Sequence, residues 1–188
     1  MLLTSYIRDE KNKALSLKLI NEQKVRKVTE KSLTESEEYN RTLFSQSSMG
    51  LVLSSMDGKL LDINPAYANI IGRSVEETKE LSYWDITPDI YTELEEEQIR
   101  NLKKTGKYGP YEKEYLHKNG HFVPVRLHGK LIERNGVSYI WSNVEDITSG
   151  KKAETELRNS ENKFRALVEQ SITGIYIFDN EKFIYVNQ

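Results

Sequence analysis

Three Asx-Gly dipeptides punctuate this chain: Asp57-Gly58, Asn119-Gly120 and Asn135-Gly136. Each interrupts a run rich in apolar residues. Glycine adopts the left-handed backbone of tight turns and Asn or Asp tolerates it, so each pair reads as the turn of a β-hairpin. Five strands follow. Met49–Met56 and Lys59–Ile63 flank the first turn, Tyr111–His117 and Phe122–Glu133 the second, and Phe122–Glu133 and Val137–Val144 the third. Helix signals lie between the two groups. Asn64-Pro65 is an N-cap followed by a first-turn proline, predicting a short helix over Ala66–Ile71 stopped by Gly72. Ser74-x-x-Glu77 caps a second, to Leu81, and Tyr91–Lys104 forms a longer amphipathic one ended by Gly106. The order predicts an α+β domain: a five-stranded antiparallel sheet with short helices on one face.

The flanks differ in style. Residues 1–32 contain no Gly or Pro and are rich in Lys, Glu, Leu and Asn. Leu17, Ile20, Val25, Val28 and Leu33 recur at spacings of three and five, a stripe short of a clean heptad. The expectation is a solvated helix or weak coiled coil, on the order of 60 Å long at ~1.5 Å per residue if it runs on to Leu43. Ser32-x-x-Glu35 and Thr34-x-x-Glu37 have capping-box spacing, so a new or restarted helix is expected there. A charged helix is expected from about Ser149.

Composition excludes several chemistries. No cysteine is present, which rules out disulfides, thiolate metal sites and a cysteinyl–flavin photoadduct. With 27 basic and 29 acidic residues the net charge is -2, which gives no general reason to bind nucleic acid. No apolar run spans a bilayer, and a cytoplasmic location is expected. Phosphate-binding, nucleophile-elbow and zinc-protease motifs are absent, so no enzymatic activity is expected. Glu93-Leu94-Glu95-Glu96-Glu97 reads as a solvated helix face. His117 and His121 flank a turn and could contribute to a zinc site, but the expected reading is polar residues at a sheet edge with no metal. His128 is expected on the outer face.

An internal repeat is present. Leu43-Phe44-Ser45-Gln46-Ser47 matches Leu167-Val168-Glu169-Gln170-Ser171, Gly50-Leu51-Val52-Leu53 matches Gly174-Ile175-Tyr176-Ile177, and Leu60-Leu61-Asp62-Ile63-Asn64 matches Phe183-Ile184-Tyr185-Val186-Asn187. The expected organisation is a helical linker (1–33), a domain (34–148), a linker helix (149–170) and a truncated start of a second domain (171–188). A lone hairpin cannot bury a face, so the chain is expected to be a fragment or truncated product.

Ser36-Glu37-Glu38, Gly50-Leu51-Val52, Asp57-Gly58-Lys59-Leu60-Leu61, Asn64-Pro65-Ala66, Ile71-Gly72-Arg73, Gly109-Pro110-Tyr111-Glu112-Lys113-Glu114-Tyr115, Lys118-Asn119-Gly120, Val123-Pro124-Val125 and Asp146-Ile147-Thr148, in that order, resemble the PAS (PAS/PAC, S-box) sensor domains of bacterial signalling proteins. The resemblance covers about 36–148, with an incomplete second copy at about 160–188. It implies a PAS fold flanked by signalling helices, a homodimer formed through the N-terminal helix and outer sheet face, and a downstream histidine kinase, diguanylate cyclase or cyclic-di-GMP phosphodiesterase domain. It also implies a sensory, ligand-binding role, with a ligand-free relay scaffold as the alternative. Haem-binding relatives draw an axial histidine from the region of Ala66–Tyr108, which has none here, so haem of that type is not expected. A non-covalent flavin or a small metabolite is compatible.

Alternation gives Val123, Val125 and Leu127 one face of their strand. The last strand is ambiguous by alternation alone. Counting back from Asp146 along the resemblance turns Ile140, Ser142 and Val144 inward, and Tyr111, Lys113 and Tyr115 with them. Lys113 near the tyrosines and Ser142 would suit a small anionic or oxygen-rich ligand, although the favoured reading puts Lys113 at the rim, reaching water. Trp84, Tyr91, Ile99 and Leu102 would complete the lid side. Trp141 and Asn143 are then expected to face outward as a docking surface, and Asp146, Ile147 and Thr148, the last as a cap, to hand the signal to the exit helix.

Overall fold

The computed structural model describes the backbone of residues 2–169, 176–179 and 182–186, and the side chains of residues 18–169. Two units are distinguished, residues 1–48 and 49–188.

The first is one helix, α1 (Leu2–Gln46). The restart expected near Ser32–Thr34 does not occur. A capping hydroxyl must turn toward the N–H groups ahead of it, whereas the Thr34 hydroxyl donates back to the Glu30 carbonyl, as Thr29 does to Val25 and Thr42 to Glu38. Leu19, Ile20, Val25, Val28, Leu33, Tyr39 and Leu43 are exposed along it.

The second unit contains a five-stranded antiparallel sheet in the order β2-β1-β5-β4-β3, built from β1 (Gly50–Ser55), β2 (Leu60–Ile63), β3 (Lys107–Leu116), β4 (Phe122–Arg134) and β5 (Val137–Asp146). The chain leaves the β2 edge through α2 (Pro65–Ile70) and α3 (Val75–Lys79). Two 3-10 turns, Tyr83–Ile86 and Asp89–Tyr91, and α4 (Thr92–Thr105) bring it to the opposite edge, where β3 begins. Helix α2 packs on β1, α3 on β2 and α4 on β3, so the helices cover one face.

The three turns use two different geometries. Asn135 and Gly136 both have positive φ and join directly paired Arg134 and Val137, a two-residue turn whose twist matches the strands. At the other two, only the glycine has positive φ. The loops Met56-Asp57-Gly58 and Lys118-Asn119-Gly120 each have three residues, closed by Ser55 N–H to Lys59 C=O and His117 N–H to His121 C=O.

Asn64 locks the first hairpin to the helices. Its Oδ1 accepts from Leu51 N at 2.8 Å and Tyr67 N at 3.0 Å, and its Nδ2 donates to Met49 O at 2.8 Å. Ser74 and Glu77 form the reciprocal capping box that their spacing implies. The core is Val52, Leu60, Ile63, Tyr67, Ile71, Ile86, Leu102, Tyr108, Tyr115, Val123, Val125, Leu127, Ile140 and Val144, with others.

After β5 comes α5 (Thr148–Glu169). Thr148 is its first residue rather than its cap. Asp146 supplies the capping oxygen, accepting from Thr148 N at 2.8 Å. Beyond it, β6 (Tyr176–Asp179) pairs with β7 (Lys182–Val186). The repeat holds to the level of register. Val52–Ile63, Leu53–Asp62 and Ser54–Leu60 correspond to Tyr176–Val186, Ile177–Tyr185 and Phe178–Phe183, with the irregularity at the same step in both copies. Gln170, Ser171, Gly174, Ile175 and Asn187 of the repeat lie outside the described residues.

Candidate functional site

Alternation along β3 turns Tyr111, Lys113 and Tyr115 to the covered face, against Leu127, Val125 and Val123 of β4. Lys113 is therefore in the core, 3% exposed, and not at the rim as expected. Its stem has no path to water because α4 closes over it. What holds it is Glu95. The Lys113 Nζ lies 2.7 Å from Glu95 Oε1 and donates to Thr87 Oγ1 at 2.9 Å, with the Tyr115 ring centroid 4.8 Å away. Tyr111 donates its hydroxyl to the same carboxylate, and Thr87 donates onward to the Tyr83 carbonyl at 2.8 Å. The result is a connected polar network inside an apolar core.

Glu95 was expected on a solvated face and is 5% exposed. The periodic signal was present: residues 95, 99 and 102 lie at i, i+4 and i+7, so Glu95 shares the stripe of Ile99 and Leu102. Its charge hid its position.

Burial lowers the Lys113 pKa, and the Glu95 carboxylate opposes that by favouring the ammonium. The tyrosines shift the other way. Burial raises Tyr67, Tyr108, Tyr111 and Tyr115, and Glu95 adds to each; Tyr83 is pushed up to about 12 for the same two reasons. All five remain neutral hydroxyls at neutral pH. The Tyr67 hydroxyl is buried without a hydrogen-bond partner; the Tyr115 hydroxyl is close enough to perturb it but outside hydrogen-bonding geometry.

These groups border a cavity of about 30 Å³, lined by Tyr67, Tyr83, Glu95, Ile99, Tyr108, Tyr111, Lys113, Tyr115, Leu127, Ile140 and Ser142 among others. Tyr108 reaches it because Gly129 stands opposite on β4; a Cβ there would meet the Tyr108 ring at 2.5 Å. At about 10–15 Å³ per water, the space suits roughly two water molecules. An isoalloxazine or a haem is far larger than this space.

The expected pocket residues divide accordingly. Ile99, Lys113, Tyr115, Leu127, Ile140 and Ser142 line the cavity. Leu102, Val125 and Val144 are buried in the surrounding core without lining it. Trp84 and Tyr91 do not line it either. Trp84 is 39% exposed and lines a separate outer groove, because its turn packs on the Asp57-Gly58 loop. Tyr91 is turned toward Glu114 and Lys151. Tyr67, Tyr83 and Tyr108 are lining residues that the sequence reading left out. Their helical or pre-bulge positions follow no period-2 alternation.

On the outer face Trp141 and Asn143 are half-buried and His128 is exposed. The His117 and His121 rings stack at 4.2 Å, with His117 Nδ1 accepting from Asn119 N. Where the sheet meets α5, Glu112 of β3 holds Arg126 Nη2 at 3.0 Å and Lys151 Nζ at 2.9 Å, and Arg126 also reaches Glu145 at 3.4 Å. Ile147 is buried beside this junction and Asp146 is exposed.

Comparison with known proteins places this geometry. A family model described as PAS domain matches residues 48–149, and a second PAS domain model matches residues 162–188. The chain is 30% identical over 138 residues to a methyl sulfide methyltransferase-associated sensor of Methanosarcina acetivorans, covering 73% of this chain and 14% of that protein. It is 30% identical over 165 residues to sporulation kinase E of Bacillus subtilis, covering 84% and 21%. Over 157 residues it is 29% identical to the probable diguanylate cyclase DgcE of Escherichia coli, covering 80% and 14%. The chain thus spans about a seventh to a fifth of the length of these relatives. Among solved structures, a PAS domain from Colwellia psychrerythraea superposes with a TM-score of 0.55 at 21% identity, covering 60% of this chain and 97% of that one. One from an HTR-like protein of Haloarcula marismortui gives 0.52 at 20%, covering 64% and 99%.

Proposed function

The chain belongs to the PAS domain family, and on that premise we propose that residues 49–148 are a sensory module whose buried polar site registers a small ligand and whose state passes through α5 to a downstream output domain. The observation that carries this reading is the Lys113–Glu95 pair beside a cavity. A domain serving only as a scaffold gains little stability from such a pair, because apolar residues of similar volume are often as stable or more so. Relatives that include a sensor histidine kinase and a probable diguanylate cyclase support an output of one of those kinds. No described helix is long and apolar enough to cross a membrane, and the reading places the module in the cytoplasm, as a homodimer that uses the apolar stripe of α1 and the outer sheet face around Trp141 and Asn143.

A second reading, a ligand-free dimerisation and relay scaffold, is favoured by one observation, the small size of the cavity. Native mass spectrometry of the full chain, with an absorbance scan, separates the two. One small molecule per subunit is the expected result. A dimer that stays empty against a panel of small metabolites would replace the sensor with the scaffold.

A further inference from the structure

The cavity's size, charge and unpartnered hydroxyl together restrict what it can hold. Two waters occupy about 60 Å³ of liquid, the room of a molecule with roughly three non-hydrogen atoms. Lys113 and Glu95 already neutralise one another, at 2.7 Å and with both side chains buried. An anionic guest would add an uncompensated charge to a buried site, and a cationic one would do the same with the opposite sign. An anionic ligand, one of the classes compatible with the sequence, is therefore disfavoured by the pair itself. The remaining demand is for hydrogen bonding. Tyr67 is 1% exposed, lines the cavity and has an unpartnered hydroxyl, and the buried Ser142 lies on the same lining.

An access route is also visible. Tyr83 and Ile99 line both the inner cavity and the outer groove, which has about 300 Å³ bordered by Met56, Asp57, Trp84, Arg100 and Lys103. Those two side chains are the wall shared by the two spaces.

We infer that the core cavity takes one uncharged, hydrogen-bonding molecule of about three non-hydrogen atoms or fewer, received by the Tyr67 hydroxyl and admitted between Tyr83 and Ile99. The inference rests on the sensory reading and names the ligand class for that site. A molecule so small binds no tighter than roughly 0.5 mM, since the best small ligands reach about 1.5 kcal/mol per atom. The test therefore works at millimolar concentration.

The full chain is titrated with formamide, with formate as its charged isostere, with methylammonium, and with flavin mononucleotide, and followed by amide chemical shifts. Formamide is expected to shift the amides of Tyr67, Lys113 and Ser142 saturably, while formate and methylammonium leave them in place. Tyr67→Phe is expected to weaken formamide about tenfold, and Ile99→Ala to speed association and dissociation about tenfold. Formate, methylammonium or flavin saturating the same amides as well as formamide does would overturn the ligand class and leave a sensor standing. Unchanged affinity in Tyr67→Phe would remove the hydroxyl from the site, and unchanged rates in Ile99→Ala would remove the route. Silence toward every probe would overturn the inference and, with an empty protein in native mass spectrometry, the sensory reading too.

Discussion

The Tyr67 hydroxyl has left bulk water and gained no partner from the protein, which is a cost the folded protein carries at one atom. Removing that atom should help the unliganded protein. Tyr67→Phe is expected to raise unfolding free energy by about 1 kcal/mol, read as a higher urea midpoint with an unchanged slope. A loss of stability instead would mean that the hydroxyl has an unrecognised partner. Asn64 is the opposite case. Its side chain satisfies two backbone N–H groups and one carbonyl where β1 meets α2. Asn64→Ala strands all three, so a loss of about 2–4 kcal/mol is expected in the same assay, at about 1–3 kcal/mol for each buried group left unpaired and with partial rescue by water. A loss below about 1 kcal/mol would show that water replaces the amide without cost.

Between elements, the Lys113–Glu95 pair ties α4 to β3 through the core. Breaking it from one side leaves a buried charge alone. Lys113→Met is therefore expected to cost about 3–5 kcal/mol, and Lys113→Met combined with Glu95→Leu to recover most of that loss. A double variant as unstable as the single one would show that packing or the Tyr111 and Thr87 bonds, not charge, set the cost. The same pair shows what a sequence can and cannot disclose about elements. Hairpins were legible because Asp57-Gly58, Asn119-Gly120 and Asn135-Gly136 need special backbone geometry, and the α2 start because Asn64-Pro65 is a local signal. The inward set Ile140, Ser142 and Val144 was reached only by counting from Asp146, since alternation by itself could not choose between that set and Trp141. Glu95 was missed because a carboxylate in an acidic run reads as solvated unless its partner, eighteen residues on in another element, is known. Burial of a charge is a tertiary fact. The helix break near Thr34 was over-read for a related reason: capping-box spacing shows that a hydroxyl can cap, not that it turns forward to do so.

Across the whole module, β3 presents Lys113 to the core and, one residue earlier, Glu112 to the outer face, where it grips Lys151 on the first turn of α5. One strand therefore touches both the polar site and the exit helix. Lys151 and Arg126 hold the Glu112 carboxyl below its ordinary value, and Glu112 holds Lys151 above its own. A carboxyl whose folded pKa is depressed stabilises the folded arrangement fully above its unfolded value, near 4.5, and loses that contribution as pH falls through the lower folded value. The raised lysine acts in the opposite direction: its contribution is present below its unfolded value and disappears as pH rises through the folded one. The grip should thus hold from mildly acidic to mildly alkaline pH and loosen in acid. Because the chain has no cysteine, spin labels can be placed at will. With labels at Arg158→Cys on α5 and Lys130→Cys on β4, the distance distribution is expected to be narrow at about pH 6 and broad at about pH 2.5, well under the ordinary carboxyl range so that a depressed carboxyl is protonated too. Asp57 and Glu77 are also depressed, but their partners are Ser55 on β1 and Lys118 in the β3–β4 turn rather than residues of α5. Adding Glu112→Gln isolates the grip and should give the broad distribution at both pH values. If acid and Glu112→Gln both leave the distribution narrow, Glu112 does not set the position of α5. If formamide saturation also leaves it unmoved, α5 does not carry the state of the core, and the relay from polar site to output helix has to be abandoned.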